Sequence, residues 1–394
     1  MTPRHLVSIN DLSRDEIESV FSLADRYLET LGDPKIPFRI GASTNDFAGS
    51  VMATLFYEPS TRTRLSFESA MLRLGGRTIS SADPASSSAA KGESLADAIR
   101  IVSGYADVIV LRHPRDGAAR LAAQFASVPV VNGGDGAHEH PTQTLCDLYT
   151  LRREKGRIEG LNIAVIGDLR GGRTVHSLVY ALARFGANIF TMPAPGMSLP
   201  AEVDWRLKNE FGYKALTKTD LPGIEKAGTS AYAPPNSPPS FAENMDALYV
   251  TRFQKERSAG SAAHYPKVDS EFLKAPAFAK ALLMHPLPRV DELDPALDED
   301  KRAVYFREAA YGVPIRMALV SFLLNSYRDR TLGEFQDSAP PDRPPSLQET
   351  DRPCSNANCI TRSEPQNARP AFHLVDENSQ RLRCVYCDRN LCDS

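Results

Sequence analysis

The stretch Ser60-Thr61-Arg62-Thr63-Arg64 places hydroxyls and guanidiniums side by side directly after the apolar run SVMATLFY. Such groups make poor core material and good donors to a ligand with several negative oxygens. At the head of a helix, unpaired N–H groups and the positive dipole end favour an anion before any side chain acts. Arg62 adds a planar fork that suits phosphate oxygens. A hydroxyl N-cap followed by exposed arginines would use the same residues, and the stretch alone leaves both readings open. Three further segments carry comparable chemistry: VLRHP with Arg112 and His113, HEHPTQTLCDLYT with His140 and Gln143, and HPLPRVDE. GDLRGGRTV resembles a dinucleotide loop only in following a strand and opening a helix. It lacks G-x-G-x-x-G spacing and a suitably placed acid after the next strand, which excludes that reading.

The cysteines point to a second chemistry. Cys146 stands alone in the first 353 residues, whereas Cys354, Cys359, Cys384, Cys387 and Cys392 crowd the tail. Cys354 and Cys359 enclose four residues, 24 residues follow, and Cys384 and Cys387 enclose two. Two close pairs on either side of a connecting segment have the spacing of a tetrahedral four-cysteine Zn2+ site. Disulfides and a chance cluster are the competing readings, and a body almost free of cysteine argues against the first. Cys392 lies outside the pattern and reads as a free thiol. Cys146 reads as a small buried hydrophobe.

The elements that must position these groups follow from hydrophobic pattern. Ser13 and Glu16 form a capping box at the head of an amphipathic helix. Strand-like and helical segments then alternate through SVMATLFY, TRTRLSFESAMLRLGG, RTIS, ESLADAIRIVSGY, ADVIVLR, VPVVNG and HPTQTLCDLYTLRREKG. A second series runs through LNIAVIGD, RTVHSLVYALARFG, ANIFTM, DALYVTR and ALLMHPLP. That order predicts an α/β fold of two parallel-sheet domains, with ligands beyond the carboxyl ends of the strands. The expected organisation is a first domain over 1–150, a second over 151–305, a C-terminal helix over 306–330 packing back on the first, a proline-rich linker over 331–353 and a cysteine domain over 354–394. A net charge of −3 gives no global field for nucleic acid or an anionic membrane. No apolar run approaches the roughly 20 residues that span a bilayer, and no signal peptide is legible, so the expected compartment is the cytoplasm.

FYEPSTRTRLSFE, KGESLADAI, VLRHP, HPTQTLCDLYT, GDLRGGRTVHSL, TRFQKER and HPLPRVDE, in this order, resemble the carbamoyltransferase family, and within it the aspartate carbamoyltransferases, over about residues 4 to 328. The resemblance implies transfer of the carbamoyl group of carbamoyl phosphate to the amine of L-aspartate, an early step of pyrimidine biosynthesis. It implies that Ser60, Thr61, Arg62 and Thr63 hold the phosphate, and that Thr63, Arg112 and His140 donate to the carbamoyl oxygen. Gln143 and the backbone carbonyls of Leu287 and Pro288 would fix the carbamoyl NH2, and Arg173, Arg252 and Gln254 would receive the aspartate carboxylates. Phosphate is already a good leaving group, so no protein nucleophile and no active-site metal or cofactor is expected; positioning and electrostatics suffice.

DPASSSAAKGES alone reads as a polar surface loop. In the family this loop reaches the neighbouring subunit's active site, which implies a homotrimer with shared sites, Ser87 and Lys91 contacting substrate. Ala90 stands where the family often has a second lysine, so Lys91 is the loop's only cation. The cysteine tail resembles the zinc domain of the family's separate regulatory chain. A role in subunit association is expected of it, and the segment from 328 to 353 is too short for a second, nucleotide-sensing domain. Two alternatives remain. Ornithine carbamoyltransferase typically carries a cysteine where Pro286 stands in HPLP. The other is an inactive assembly scaffold, against which every motif position with a chemical duty is filled.

Overall fold

The structure is a computed structural model that describes residues 3–32, 38–81, 88–216, 230–234, 244–254, 265–331, 347–349, 352–376 and 381–391. The chain divides into two compact units, Met1–Thr142 with Val313–Ser394, and Gln143–Gly312.

In the first unit, helix α1 (Arg14–Leu31) begins at the Ser13–Glu16 capping box and buries Ile17, Val20, Phe21, Ala24, Leu28 and Leu31, one helical stripe. The chain continues through β1 (Val51–Phe56), α2 (Thr61–Arg73), β2 (Arg77–Ser81), α3 (Leu95–Ser103), β3 (Val108–His113), α4 (Ala118–Phe125) and β4 (Val130–Asp135). The four strands form a parallel sheet in the order β2-β1-β3-β4. The chain therefore turns outward from β1 to β2 and then back to β3, which makes β1/β3 the topological switch point. Phe56 pairs with Arg112 in that register, so STRTR and Arg112 leave the sheet at the same edge.

Helix α5 (Pro141–Lys155) carries the chain into the second unit. There follow β5 (Asn162–Gly167), α6 (Arg173–Arg184), β6 (Asn188–Pro193), α7 (Ala201–Asn209), β7 (Lys214–Leu216), β8 (Ser230–Ala233), β9 (Ala247–Val250) and β10 (Leu282–Met284). The sheet order is β10-β9-β5-β6-β8-β7. Strands β10, β9, β5 and β6 are parallel, as the alternating pattern predicts, while β8 and β7 add an antiparallel edge. The switch point here is β5/β9. Helix α8 (Tyr305–Thr331) starts in this unit, contains Pro314 and passes into the first. On α8, Ser321 meets Tyr27 of α1 at 2.7 Å, and Arg316 lies over the ring of Phe67.

The cysteine tail consists of β11 (Leu347–Glu349), the one-turn helix α9 (Ile360–Ser363), β12 (Ala371–Asp376) and β13 (Arg381–Cys384), with the strands antiparallel in the order β11-β12-β13. Leu347–Glu349, inside the segment read as linker, is thus a strand paired with β12. The tail belongs to the first compact unit and shares its core: Ile360, Ala368, Phe372 and Tyr386 pack in one cluster with Leu55, Leu95, Ile99, Leu111 and Leu121. Among the described residues no helix is long and apolar enough to cross a membrane.

Candidate active site and metal centre

In the first unit, Ser60 occupies the N-cap position of α2, but its side chain makes no capping hydrogen bond. The simple N-cap reading of this serine is therefore not what the structure adopts. Thr61 and Arg62 are exposed on the first turn and Thr63 is buried. Arg112, at the end of β3, is fixed by two donations, from Nη2 to Glu58 Oε1 at 2.7 Å and from Nη1 to the Gly133 carbonyl at 3.2 Å. His140, buried, precedes α5, with Thr142 Oγ1 3.4 Å from its Nδ1. Lys91 is exposed at the end of a short 3-10 turn, Ser88–Lys91. Ser87 lies outside the described residues, as does Cys392. The structure thus brings STRTR and Arg112 together at the β1/β3 edge, and His140 follows β4 beside them in the same sheet.

Acidic groups that carry no spacing signal hold this loop cluster. Asp135 accepts from Asn132 Nδ2, from the Gly117 N–H and from the His138 ring. Glu139 accepts from Ser8 Oγ at 2.6 Å and from the Ile9 N–H at 3.0 Å, and burial pushes its pKa up. Only their place beside strand ends marks such residues in the sequence.

In the second unit, Gly167 ends β5 at φ 116, where a Cβ would lie 2.5 Å from the Thr251 carbonyl oxygen, so the chain after β5 needs glycine there. Asp168, fully buried, accepts from the Gly171 N–H at 2.8 Å and from the Gln254 N–H at 3.2 Å. Its carboxylate ties the loop before Arg173 to the loop holding Arg252 and Gln254. Arg173 is buried in the first turn of α6, and Arg252 and Gln254 are half-buried beyond β9. These residues therefore gather at β5/β9.

Gln143 donates from Nε2 to Asp147 Oδ1 at 2.8 Å and to Glu308 Oε1 at 3.2 Å. Burial, reinforced by the charge of Asp147, pushes the Glu308 pKa well up. Leu287, at φ 55 and joined to Pro288 by a cis bond, donates its N–H to His285 Nδ1 at 2.7 Å. That bond leaves Nε2 as the protonated nitrogen, which meets Glu292 Oε1 at 2.8 Å. Burial works against the Glu292 carboxylate, but its bonds from His285 and nearby backbone N–H groups hold its pKa below the ordinary value.

Cys354, Cys359, Cys384 and Cys387 are all buried, with sulfurs within 4.8 Å of one another. Cys354 and Cys387 are 3.6 Å apart and Cys359 and Cys384 3.9 Å. These separations are far too long for disulfide bonds. A tetrahedron with metal–sulfur bonds of about 2.3 Å has edges of about 3.8 Å, so the sulfurs already stand where a metal of that size would hold them. A second acid–histidine group, His138, Glu139 and Asp388, is of another kind. Both ring nitrogens of His138 face carboxylates, Asp135 at 3.0 Å and Asp388 at 3.1 Å. Burial opposes its charge, but those two carboxylates raise its pKa well above the ordinary value, so it is a bridging cation.

Residues 4–153 match the sequence model described as "Aspartate/ornithine carbamoyltransferase, carbamoyl-P binding domain", and residues 159–323 match that of the "Asp/Orn binding domain". The chain belongs to the aspartate/ornithine carbamoyltransferase family. The aspartate carbamoyltransferase catalytic subunit of Methanothrix thermoacetophila is 44% identical over 330 residues, covering 82% of this chain and 98% of that protein. The corresponding subunit of Methanocaldococcus jannaschii is 45% identical over 327 residues, with the same coverage. A solved catalytic subunit of M. jannaschii aspartate transcarbamoylase superposes with a TM-score of 0.68 at 42% identity, covering 82% of this chain and 99% of that one. Trypanosoma cruzi aspartate transcarbamoylase, solved with carbamoyl phosphate and aspartate, gives 0.66 at 35% identity over 81% of this chain and 96% of that one. Residues 353–394 match the metal-binding domain of the aspartate carbamoyltransferase regulatory chain, so this family member carries both kinds of domain in one chain.

Proposed function

We propose that the chain transfers the carbamoyl group of carbamoyl phosphate to the α-amine of L-aspartate, giving N-carbamoyl-L-aspartate and phosphate. The observation that carries the reading is the placement of donors at both topological switch points. Ser60, Thr61, Arg62, Thr63 and Arg112 stand at β1/β3, and Arg173, Arg252 and Gln254 at β5/β9. In the first unit, the N–H groups of α2 and the Arg62 fork bind the phosphate. Thr63, Arg112 and His140 donate to the carbamoyl oxygen, where negative charge grows as the amine attacks. Glu58 and the Gly133 carbonyl set the angle of Arg112, so this stabilisation is organised beforehand.

Gln143 has committed its NH2 to Asp147 and Glu308, which leaves Oε1 as the acceptor a carbamoyl NH2 requires. The Leu287 and Pro288 carbonyls accept in the same way. Arg173 sits at the positive end of the α6 dipole, an unfavourable place for a cation by itself. A substrate carboxylate suits both groups, and Arg252 receives the second carboxylate. The attacking amine loses its proton to a phosphoryl oxygen of the departing phosphate.

The metal at Cys354, Cys359, Cys384 and Cys387 is Zn2+, in a closed structural site with no open position for substrate. Lys91, with Ser87, serves the site of a neighbouring copy in a homotrimer. Leu65 and Leu72, seven residues apart on α2, and Ile79 on edge strand β2 are exposed large hydrophobics on the flank bearing that loop, a face suited to burial in such an assembly. We place the enzyme in the cytoplasm, early in pyrimidine synthesis.

Assays of the full-length chain with carbamoyl phosphate and either aspartate or ornithine test the reading. Carbamoyl-aspartate should form, and Arg62→Ala should lower turnover by more than about a hundredfold without unfolding this exposed position. Turnover with ornithine alone, or an Arg62→Ala enzyme within tenfold of the parent, overturns it.

A further inference from the structure

The metal-binding tail touches the three loops that hold Lys91, Arg112 and His140. At the base of the Lys91 loop, the first N–H of α3, from Leu95, donates to Glu364 Oε1 at 2.6 Å. Glu364 directly follows α9 of the tail. Beyond β3, four residues after Arg112, buried Asp116 is enclosed by the turn between Cys354 and Cys359. Asn356 Nδ2 donates to its Oδ2 at 2.7 Å and Asn358 Nδ2 to its Oδ1 at 3.0 Å. Its backbone N–H donates to the Asn358 carbonyl at 3.2 Å, and its carbonyl accepts from the Ile360 N–H at 2.9 Å. Two residues before His140, His138 bridges Asp135 of β4 and Asp388 of the tail.

We propose that the metal-binding tail is a positioning element of the carbamoyl phosphate half-site, fixing the loops of Lys91, Arg112 and His140 through Glu364, Asn358 and Asp388. The inference rests on the proposed reaction. It assigns the tail a task beyond subunit association. These tail residues act through backbone and loop groups and are positioning residues, not catalytic ones. The grip depends on the four cysteines, because Cys354 and Cys359 bracket Asn358, Cys387 adjoins Asp388, and Cys359 adjoins the helix leading to Glu364.

The test uses the full, metal-loaded chain with Glu364→Ala, Asn358→Ala and Asp388→Asn, singly and together, and Glu364→Gln as the conservative control. Metal content and oligomeric state should match the parent. Each single change should lower kcat/KM for carbamoyl phosphate by about threefold or more, and the triple variant by more than about tenfold, while Glu364→Gln stays near the parent. Hydrogen exchange should quicken in residues 88–95, 111–117 and 134–142. A metal-replete triple variant with kcat and KM within twofold of the parent, or unchanged exchange in those loops, overturns the proposal. If the triple variant loses its metal, the single variants decide by the same two readouts. A parent chain inactive with carbamoyl phosphate and aspartate instead sinks the proposed reaction, and exchange alone then decides whether the tail holds the loops.

Discussion

Arg112, Gln143 and Leu287 stand in motifs with a chemical task, and each owes its orientation to a neighbour to which the sequence reading assigns none. Glu58 and the Gly133 carbonyl aim Arg112, Asp147 and Glu308 turn the Gln143 amide, and His285 receives the Leu287 N–H. The donors were legible because clustered hydroxyls and guanidiniums are chemically unusual. Their supports were not, because neither residue type nor spacing sets Glu58, Asp147, Glu308 or His285 apart from any other charged or imidazole side chain. His113 shows how tightly this layer is set. Its Nδ1 accepts from the Arg115 N–H at 3.0 Å, which requires a neutral ring. Burial lowers its pKa to about 4 against the opposing pull of Asp135. Above pH 6.5 the ring is neutral in both folded and unfolded chains, and its contribution is constant. As pH falls from 6.5 toward 4, the unfolded chain gains a proton that the folded chain refuses, so stability declines. At about 1.4 kcal/mol per pH unit, the loss from this group by pH 5 is on the order of 2 kcal/mol. Chemical denaturation at pH 7.5 and pH 5 should show a smaller acid loss in His113→Gln than in the parent by that amount. Equal losses would remove His113 from the account.

The parallel strands and their helices were readable as elements because buried runs such as VMATLF and NIAVIG, alternating with capped amphipathic segments, admit few other arrangements. Strand β11 escaped because three residues in a proline-rich stretch acquire strand identity only by pairing with β12. The face that receives the tail escaped for a related reason, since its signal is the absence of side chains. Gly117, at φ 84, closes onto the tail so tightly that a Cβ there would lie 2.6 Å from Tyr386 Cβ and 2.8 Å from its carbonyl oxygen. Gly136, at φ 48, leaves no room for a Cβ beside the Asp116 carboxylate. Gly117→Ala should cost about 1–2 kcal/mol for its backbone conformation alone, and the overlap with Tyr386 should add displacement of the tail. Limited proteolysis should cut the tail of this variant while the parent resists, and Tm should fall by several degrees. A tail as resistant as the parent's, with Tm within about 2 °C, would show that the close approach at Gly117 does not hold the two parts together.

At the scale of the whole molecule, the chain places the phosphate fork and the Lys91 cation on different loops, and the proposed trimer assigns them to different copies at each site. That arrangement has a consequence no single-chain site can imitate. In a closed ring, every site pairs Arg62 of one copy with Lys91 of the next. Homotrimers of Arg62→Ala or of Lys91→Ala have a defect in all their sites. A ring of two Lys91→Ala copies and one Arg62→Ala copy contains one site with a single defect, one with both defects and one with neither. The converse ring also has one intact site. Random reassociation of equal amounts puts about three quarters of the rings in these mixed forms, each with one working site in three, so activity should return to about a quarter of the parent's. Native mass measurement would confirm that the rings are trimeric and that copies have exchanged. If exchange is complete and activity stays at the level of the two mutants, each site is built within one copy, and the exposed Leu65, Leu72 and Ile79 serve some other contact. If activity exceeds a quarter by a wide margin, one of the two residues is not required at every site, and Lys91, alone on its loop and exposed, is the one to reassign.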